Sequence, residues 1–307
     1  MQCVRPRQTV WKKLYRDRRL VLMVLPAVAY YVIFSYIPMT GLLMAFKNFV
    51  PGNGLYAGEW VGLKWFERFF SSVYFGRLLR NTFLLSFYSL LFGFPVPILF
   101  ALCISEVRNT RLKRGIQTVS YLPYFFSTVV VVGMVRNFLA LNDGIVNTVI
   151  ELLGGKRVNF FMEASCFRTI YVCTGIWQNF GFSSIIYIAA ILGISPELYE
   201  SASLDGIHKF QEVWYITLPI IKPTILILLL LNVGNLMSVG FEKVYLMYNG
   251  STYETADVIS TYVYRQGIES NKYSYSAAIG LFNSIMNFVF VFAANFASRR
   301  LADASLW

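Results

Sequence analysis

Of the 307 residues in this chain, 56% are hydrophobic and only 14% charged, and the mean hydropathy is +0.54. A soluble fold of that length has no interior large enough to hide so much apolar surface, which excludes a soluble enzyme and predicts an all-α integral membrane protein. The net charge of +11 would suggest nucleic acid in a soluble chain, but the basic residues gather beside apolar runs, which points instead to orientation in a bilayer.

Residues 1–19 are a basic segment carrying Arg5, Arg7, Lys12, Lys13, Arg16, Arg18 and Arg19. Trp11, Leu14 and Tyr15 recur at three- and four-residue spacing beside Lys12, Lys13 and Arg16. That pattern predicts an interfacial helix over Val10 to Arg19, with one face toward the acyl chains and one toward headgroups. A helical span needs about 20 mostly apolar residues. Six stretches qualify: Leu20 to Phe46, Leu78 to Ser105, Ile116 to Ala140, Thr169 to Leu192, Trp214 to Met237 and Tyr275 to Ser298. The first is too long for a cleaved signal and has no small-residue cleavage site. A porin-like barrel is excluded, because its strands alternate polar and apolar residues.

Arg108, Arg111, Lys113 and Arg114 crowd the loop before the third span, and Arg299-Arg300 follow the sixth. By the positive-inside rule these segments and both termini are cytoplasmic. Basic residues in the opposite loops are diluted by Glu59, Glu67, Asp143, Glu151, Glu163, Glu254 and Asp257. Arg136, near the outer end of the third span, is expected to snorkel to the interface. The four cysteines are too scattered for a disulfide framework, and His208, the single histidine, rules out a His-based metal site.

No Asp or Glu lies within the six spans as drawn, which counts against a proton-coupled carrier. Gly154-Gly155-Lys156 does not have the spacing of a phosphate loop. The spans carry uncharged polarity instead: Trp177, Gln178, Asn179 and Ser183-Ser184 in the fourth, Asn232 and Asn235 in the fifth. Amides beside aromatic rings suit a sugar, whose hydroxyls meet the amides and whose C–H face meets a ring. The same residues equally suit interhelical hydrogen bonding, where Asn and Gln hold spans together.

Between the fourth and fifth spans stands a polar island, Glu200 to Pro223. Ser195-Pro196-Glu197 reads as a helix start: a capping residue, a proline at the first helical position, and an acid near the positive helix end. Asp205-Gly206 is a turn pair. The island is predicted as a short helix, a turn and a second short helix, which Pro219 and Pro223 lead back into the membrane.

Glu200-Ser201-Ala202-Ser203-Leu204-Asp205-Gly206, with Leu218-Pro219 and Pro223 downstream, resembles the cytoplasmic EAA loop of binding-protein-dependent ABC importer permeases of the maltose type. Ser201 and Ile207 stand where the family pattern has alanines. Tyr36-Ile37-Pro38-Met39, Trp60-Val61-Gly62-Leu63, Arg80-Asn81-Thr82, Phe241-Glu242-Lys243-Val244 and Glu254-Thr255-Ala256-Asp257-Val258 resemble the LplB-like branch, associated with complex oligosaccharides.

The resemblance implies a type I ABC importer permease fold in the bacterial cytoplasmic membrane. Its domains would be a basic segment 1–19, a six-helix permease domain 20–298 with its coupling loop at 195–223, and a tail 299–307. It implies no catalytic residue, no metal and no cofactor in this chain, with ATP and Mg on partner subunits. Those partners would be a second EAA-type permease, two ABC ATPases and an extracellular or periplasmic sugar-binding protein. Glu200 would contact the ATPase by charge, Asp205 and Gly206 would set the turn, and Ala202 and Leu204 would pack. Trp177, Gln178, Asn179, Asn232 and Asn235 would line the sugar pathway. The competing expectation is a self-sufficient secondary carrier or channel, which should show matched, broken spans in its two halves.

Overall fold

The computed structural model describes residues 17–54 and 57–302, with side chains through residue 296. The proposed interfacial helix falls almost wholly before this range, so Trp11, Leu14 and Tyr15 lie outside the described residues. Among the described residues every regular element is helical, and the one extended pairing is an isolated bridge between Lys47 and Trp60.

In chain order the helices are α1 (Arg18–Phe46), α2 (Lys64–Phe70), α3 (Phe75–Ser105), α4 (Thr110–Phe125), α5 (Thr128–Phe138), α6 (Ile145–Leu152) and α7 (Ala164–Leu192). There follow α8 (Pro196–Leu204), α9 (Lys209–Val233), α10 (Phe241–Met247), α11 (Tyr253–Ala256), α12 (Ile259–Tyr264) and α13 (Tyr273–Ala302). Five of them, α1, α3, α7, α9 and α13, are long and apolar enough to cross a membrane, and α4 with α5 makes a sixth crossing only if the bent pair counts as one.

That pair departs from the continuous third span expected over Ile116 to Ala140. The two helices meet at 103°. Pro123 sits in a tight 3-10 turn, Leu122–Phe125, after which Phe126 is extended, and Ser127 caps a new helix by accepting from the Val130 N–H at 3.4 Å. A proline within the last turn and a capping serine four residues after it together end one helix and begin another. Arg111, Lys113 and Arg114 are helical and not looped, because Asn109 Oδ1 accepts from the N–H groups of Arg111 and Leu112 at 3.0 and 3.2 Å and starts α4 early.

Prolines shape α1 and α9 differently. A π-turn, Val32–Tyr36, precedes Pro38, and another, Val213–Thr217, precedes Pro219. A proline ring collides with the carbonyl four residues back and offers no N–H. Widening the preceding turn lets the helix continue. The second short helix of the polar island is not a separate element: it is the first turn of α9, which runs from Lys209 through both prolines to Val233.

Lipid tails are as apolar as leucine, so the spans are held by close packing and hydrogen bonds, not by exclusion of water. α3 and α7 occupy the centre. Leu85, Val132, Phe167, Val244 and Met247 interlock α3, α5, α7 and α10. Ala101, Ile104, Tyr187, Ile188, Ile191 and Ile221 join α3, α7 and α9. Phe69, Leu78, Ile259, Tyr262 and Ile279 join α2, α3, α12 and α13. Gly181 of α7 lies so close to α4 that a Cβ there would overlap the Ser120 carbonyl. By contrast, Arg18–Tyr31 of α1 buries no side chain.

Candidate functional site

The elbow between α7 and α9 is built as a stiff part. Ser195 is extended at the N-cap and Pro196 takes the first helical position. At the other end Gly206 has φ +73°, and the N–H of Ile207 returns to the Ala202 carbonyl at 3.2 Å. Nothing crowds the space a Cβ at Gly206 would occupy, so glycine is needed there for its left-handed backbone and not for packing. Lys209 Nζ lies 2.5 Å from Glu212 and 3.7 Å from Glu106 at the end of α3. Tyr199 and Thr217 hydroxyls meet at 2.9 Å, fastening α8 to the base of α9.

The expected packing pair divides. Ala202 is only 5% exposed and packs within its own chain, whereas Leu204 is 88% exposed at the tip. Phe210 and Trp214, stacked at 6.4 Å, are also exposed. Glu200 and Asp205 are exposed and form no ion pair among the described residues. The elbow thus shows an apolar tip flanked by free carboxylates.

The other half of α7 faces a cavity of about 740 Å³ between α3, α7, α9 and α10. Gln178, Asn179, Asn232 and Asn235 all line it, together with Ser183, Ser238, Tyr124, Tyr171 and Phe182. Trp177 is not on this lining, and Tyr124 stacked on Phe182 at 3.9 Å supplies the aromatic surface instead. The amides do not behave alike. Gln178 donates to the Phe126 carbonyl at 3.2 Å and so ties α7 to the break between α4 and α5. Asn179, Asn232 and Asn235 donate only to the carbonyl four residues back, Gly175, Leu228 and Leu231 respectively. Through these bonds they hold no second helix, and all three residues line the cavity.

Lys243, not among the residues expected to line the pathway, also belongs to the cavity lining. α9 ends at Gly234, which lies against Val291 of α13. Asn287 of α13 then accepts from the Met237 N–H at 2.9 Å and donates to Ser238 at 2.8 Å. This reversal brings α10 back across α7. Lys243 Nζ there donates to the Tyr171 carbonyl at 2.8 Å and stands 4.5 Å above the Tyr171 ring. Arg136, an exposed residue near the end of α5, donates to the Leu246 carbonyl at 2.6 Å and lies over the Phe161 ring.

A second unforeseen cluster lies at the end of the spans away from the elbow. The fully buried carboxylate of Asp257 accepts from Arg265 at 2.8 and 2.9 Å and from Arg77 at 3.1 Å. Asn81, also buried, donates to the Glu254 and Asp257 carbonyls at 2.9 and 3.1 Å and accepts from Arg168 at 2.9 Å. Thr82 accepts from the Ile259 N–H at 3.0 Å. Two of the short motifs noted in the sequence, around Asn81 and around Asp257, are therefore halves of one bracket.

The model of the family described as "Binding-protein-dependent transport system inner membrane component" matches residues 69–303. The protein LplB of Bacillus subtilis (strain 168) is 41% identical over 96% of this chain and 92% of its own length. The polygalacturonan/rhamnogalacturonan transport system permease protein YteP of the same organism is 40% identical over the same shares. A solved bacterial ABC transporter involved in import of the acidic polysaccharide alginate superposes with a TM-score of 0.89 at 45% identity, covering 96% of this chain and 100% of that one. With the elbow, the all-helical fold and these likenesses together, the chain belongs to the inner membrane components of binding-protein-dependent transport systems, as a multi-pass ABC importer permease of the bacterial cytoplasmic membrane.

Proposed function

We propose that this permease carries oligosaccharides cut from an acidic polysaccharide across the membrane, through a path that its cavity forms with a second permease. In this reading the bent α4–α5 pair completes six crossings, residues 1–19 and 299–307 lie in the cytoplasm, and residues 20–298 are the permease domain. The 195–223 elbow docks on one of two ATPase subunits, which hold ATP and Mg. Leu204 enters an apolar cleft on the ATPase, Glu200 meets a cation there, and Asp205 with Gly206 keeps the turn. Ala202 fixes the elbow to its own chain. An external binding protein delivers the saccharide, as in the solved alginate transporter bound to an alginate pentasaccharide-loaded periplasmic protein.

The observation that carries the reading is the continuity of α7. Ile188 and Ile191 pack in the cluster that seats the elbow, while Asn179 and Ser183 of the same 29-residue helix line the cavity. A rigid rod of that kind transmits a displacement at one end to the other. The three asparagines support the sugar path, since they hold no second span. Reconstitution in liposomes tests it: uptake of labelled oligogalacturonate or oligoalginate should require the second permease, the ATPases, ATP and the binding protein. Uptake by this chain alone would establish a secondary carrier instead.

A further inference from the structure

Among the described residues that line the cavity, Lys243 is the one charged side chain. A buried ammonium is costly unless it is paired and hydrogen-bonded, yet Lys243 forms no ion pair among the described residues. Its attachment is one hydrogen bond to the Tyr171 carbonyl and the face of the Tyr171 ring. A lysine ammonium has three N–H donors, so two remain for a ligand.

Its position is enforced by its surroundings. Val244 and Met247 on the same short helix are fully buried, and Arg136 holds the Leu246 carbonyl. Space for the ammonium comes from Gly175, where a Cβ would stand 3.2 Å from Nζ. Asn179, Asn232 and Asn235 lie on the same lining, suited to hydroxyls but carrying no charge.

We propose that Lys243 reads the carboxylate of a hexuronate residue inside the cavity, so that this permease itself prefers acidic over neutral saccharides. The ammonium supplies two charge-assisted hydrogen bonds and the asparagines take the ring hydroxyls. A lysine serving only to tie α10 to α7 would hold the same Tyr171 carbonyl but would show no preference between ligands. The inference rests on the cavity being the sugar path.

The test uses the assembled importer, both permeases with the ATPases, without the binding protein, so that the latter's selectivity does not enter. Thermal stabilisation is titrated with trigalacturonate and with the same trisaccharide reduced at its carboxyls. Wild type should bind the acid more tightly. Lys243→Met removes both of those hydrogen bonds and should weaken the acid by about tenfold or more, and leave the reduced sugar unchanged. Lys243→Arg should retain the preference. Gly175→Ala, which keeps the lysine but crowds it, should reduce the preference partly and decides the matter if Lys243→Met does not assemble. Equal affinity for the two sugars in wild type, or an undiminished preference in Lys243→Met or Gly175→Ala, overturns the inference while leaving the cavity as the path. Stabilisation by neither sugar overturns the path as well.

Discussion

Removing the carboxylate of Asp257 should cost more than removing either of the arginines it holds. Asp257→Asn keeps the side-chain shape, so packing with Thr261 and Asn81 is conserved, but it leaves Arg77 and Arg265 facing each other without an anion. Breaking a buried ion pair from one side costs about 3–5 kcal/mol. Asp257 is 0% exposed and Arg265 18%, whereas Arg77 is 34% exposed and is partly rehydrated when released. The expected loss is therefore about 3 kcal/mol, at the low end of that range. Arg77→Met or Arg265→Met leaves one neutral pair and should cost about half as much, Arg77 less than Arg265, because exposed partners contribute little. In thermal unfolding of the purified complex, Asp257→Asn should lower the apparent midpoint by roughly 5–10 °C. A smaller shift for Asp257→Asn than for Arg77→Met would refute the shared-carboxylate argument. So would three midpoints within about 2 °C of wild type.

The remaining expectations concern the elbow and the cavity. Gly206→Pro cannot adopt φ +73° and should abolish association with the ATPases or sugar-stimulated ATP hydrolysis, with insertion intact, because proline is locked near −65°; Glu200→Ala should impair coupling without loss of protein from the membrane. Normal transport in both would remove the coupling role. Asn235→Ala should slow transport with an unchanged thermal midpoint, whereas Gln178→Ala should destabilise by about 1 kcal/mol through its lost bond to Phe126; a drop in stability for Asn235→Ala with normal transport per folded complex would reverse that assignment. Gly181→Ala should destabilise by roughly 1–3 kcal/mol through overlap with the Ser120 carbonyl, and a midpoint equal to wild type would show that α4 moves aside freely.

Spanning helices and the elbow were legible in the amino-acid order because both are local properties. A backbone in lipid must satisfy its own hydrogen bonds, so about 20 apolar residues become a helix whatever they pack against. Five of the six expected spans match long helices to within a few residues. Ser195-Pro196 and Asp205-Gly206 specify a start and a stop by backbone preference alone, and the structure places both where the sequence puts them.

Direction and partnership belonged to the tertiary structure. Pro123 is visible in the sequence, but the 103° turn also needed Phe126 extended and Gln178 of α7 holding its carbonyl. Pro219 and Pro223 are visible in the sequence, but the π-turn that carries the island's second helix into α9 ahead of them is not. Neighbours on one helix separated when it was placed: Gln178 and Asn179 face the cavity and Trp177 does not. Asp257 meets Arg77 across 180 residues of chain, and Lys243 reaches Tyr171 across 72 only because α9 reverses at Gly234. Residue order sets which groups are polar and which segments are helical. Which polar groups meet depends on helix rotation and reversal, and those are decided by contacts between segments far apart in the chain.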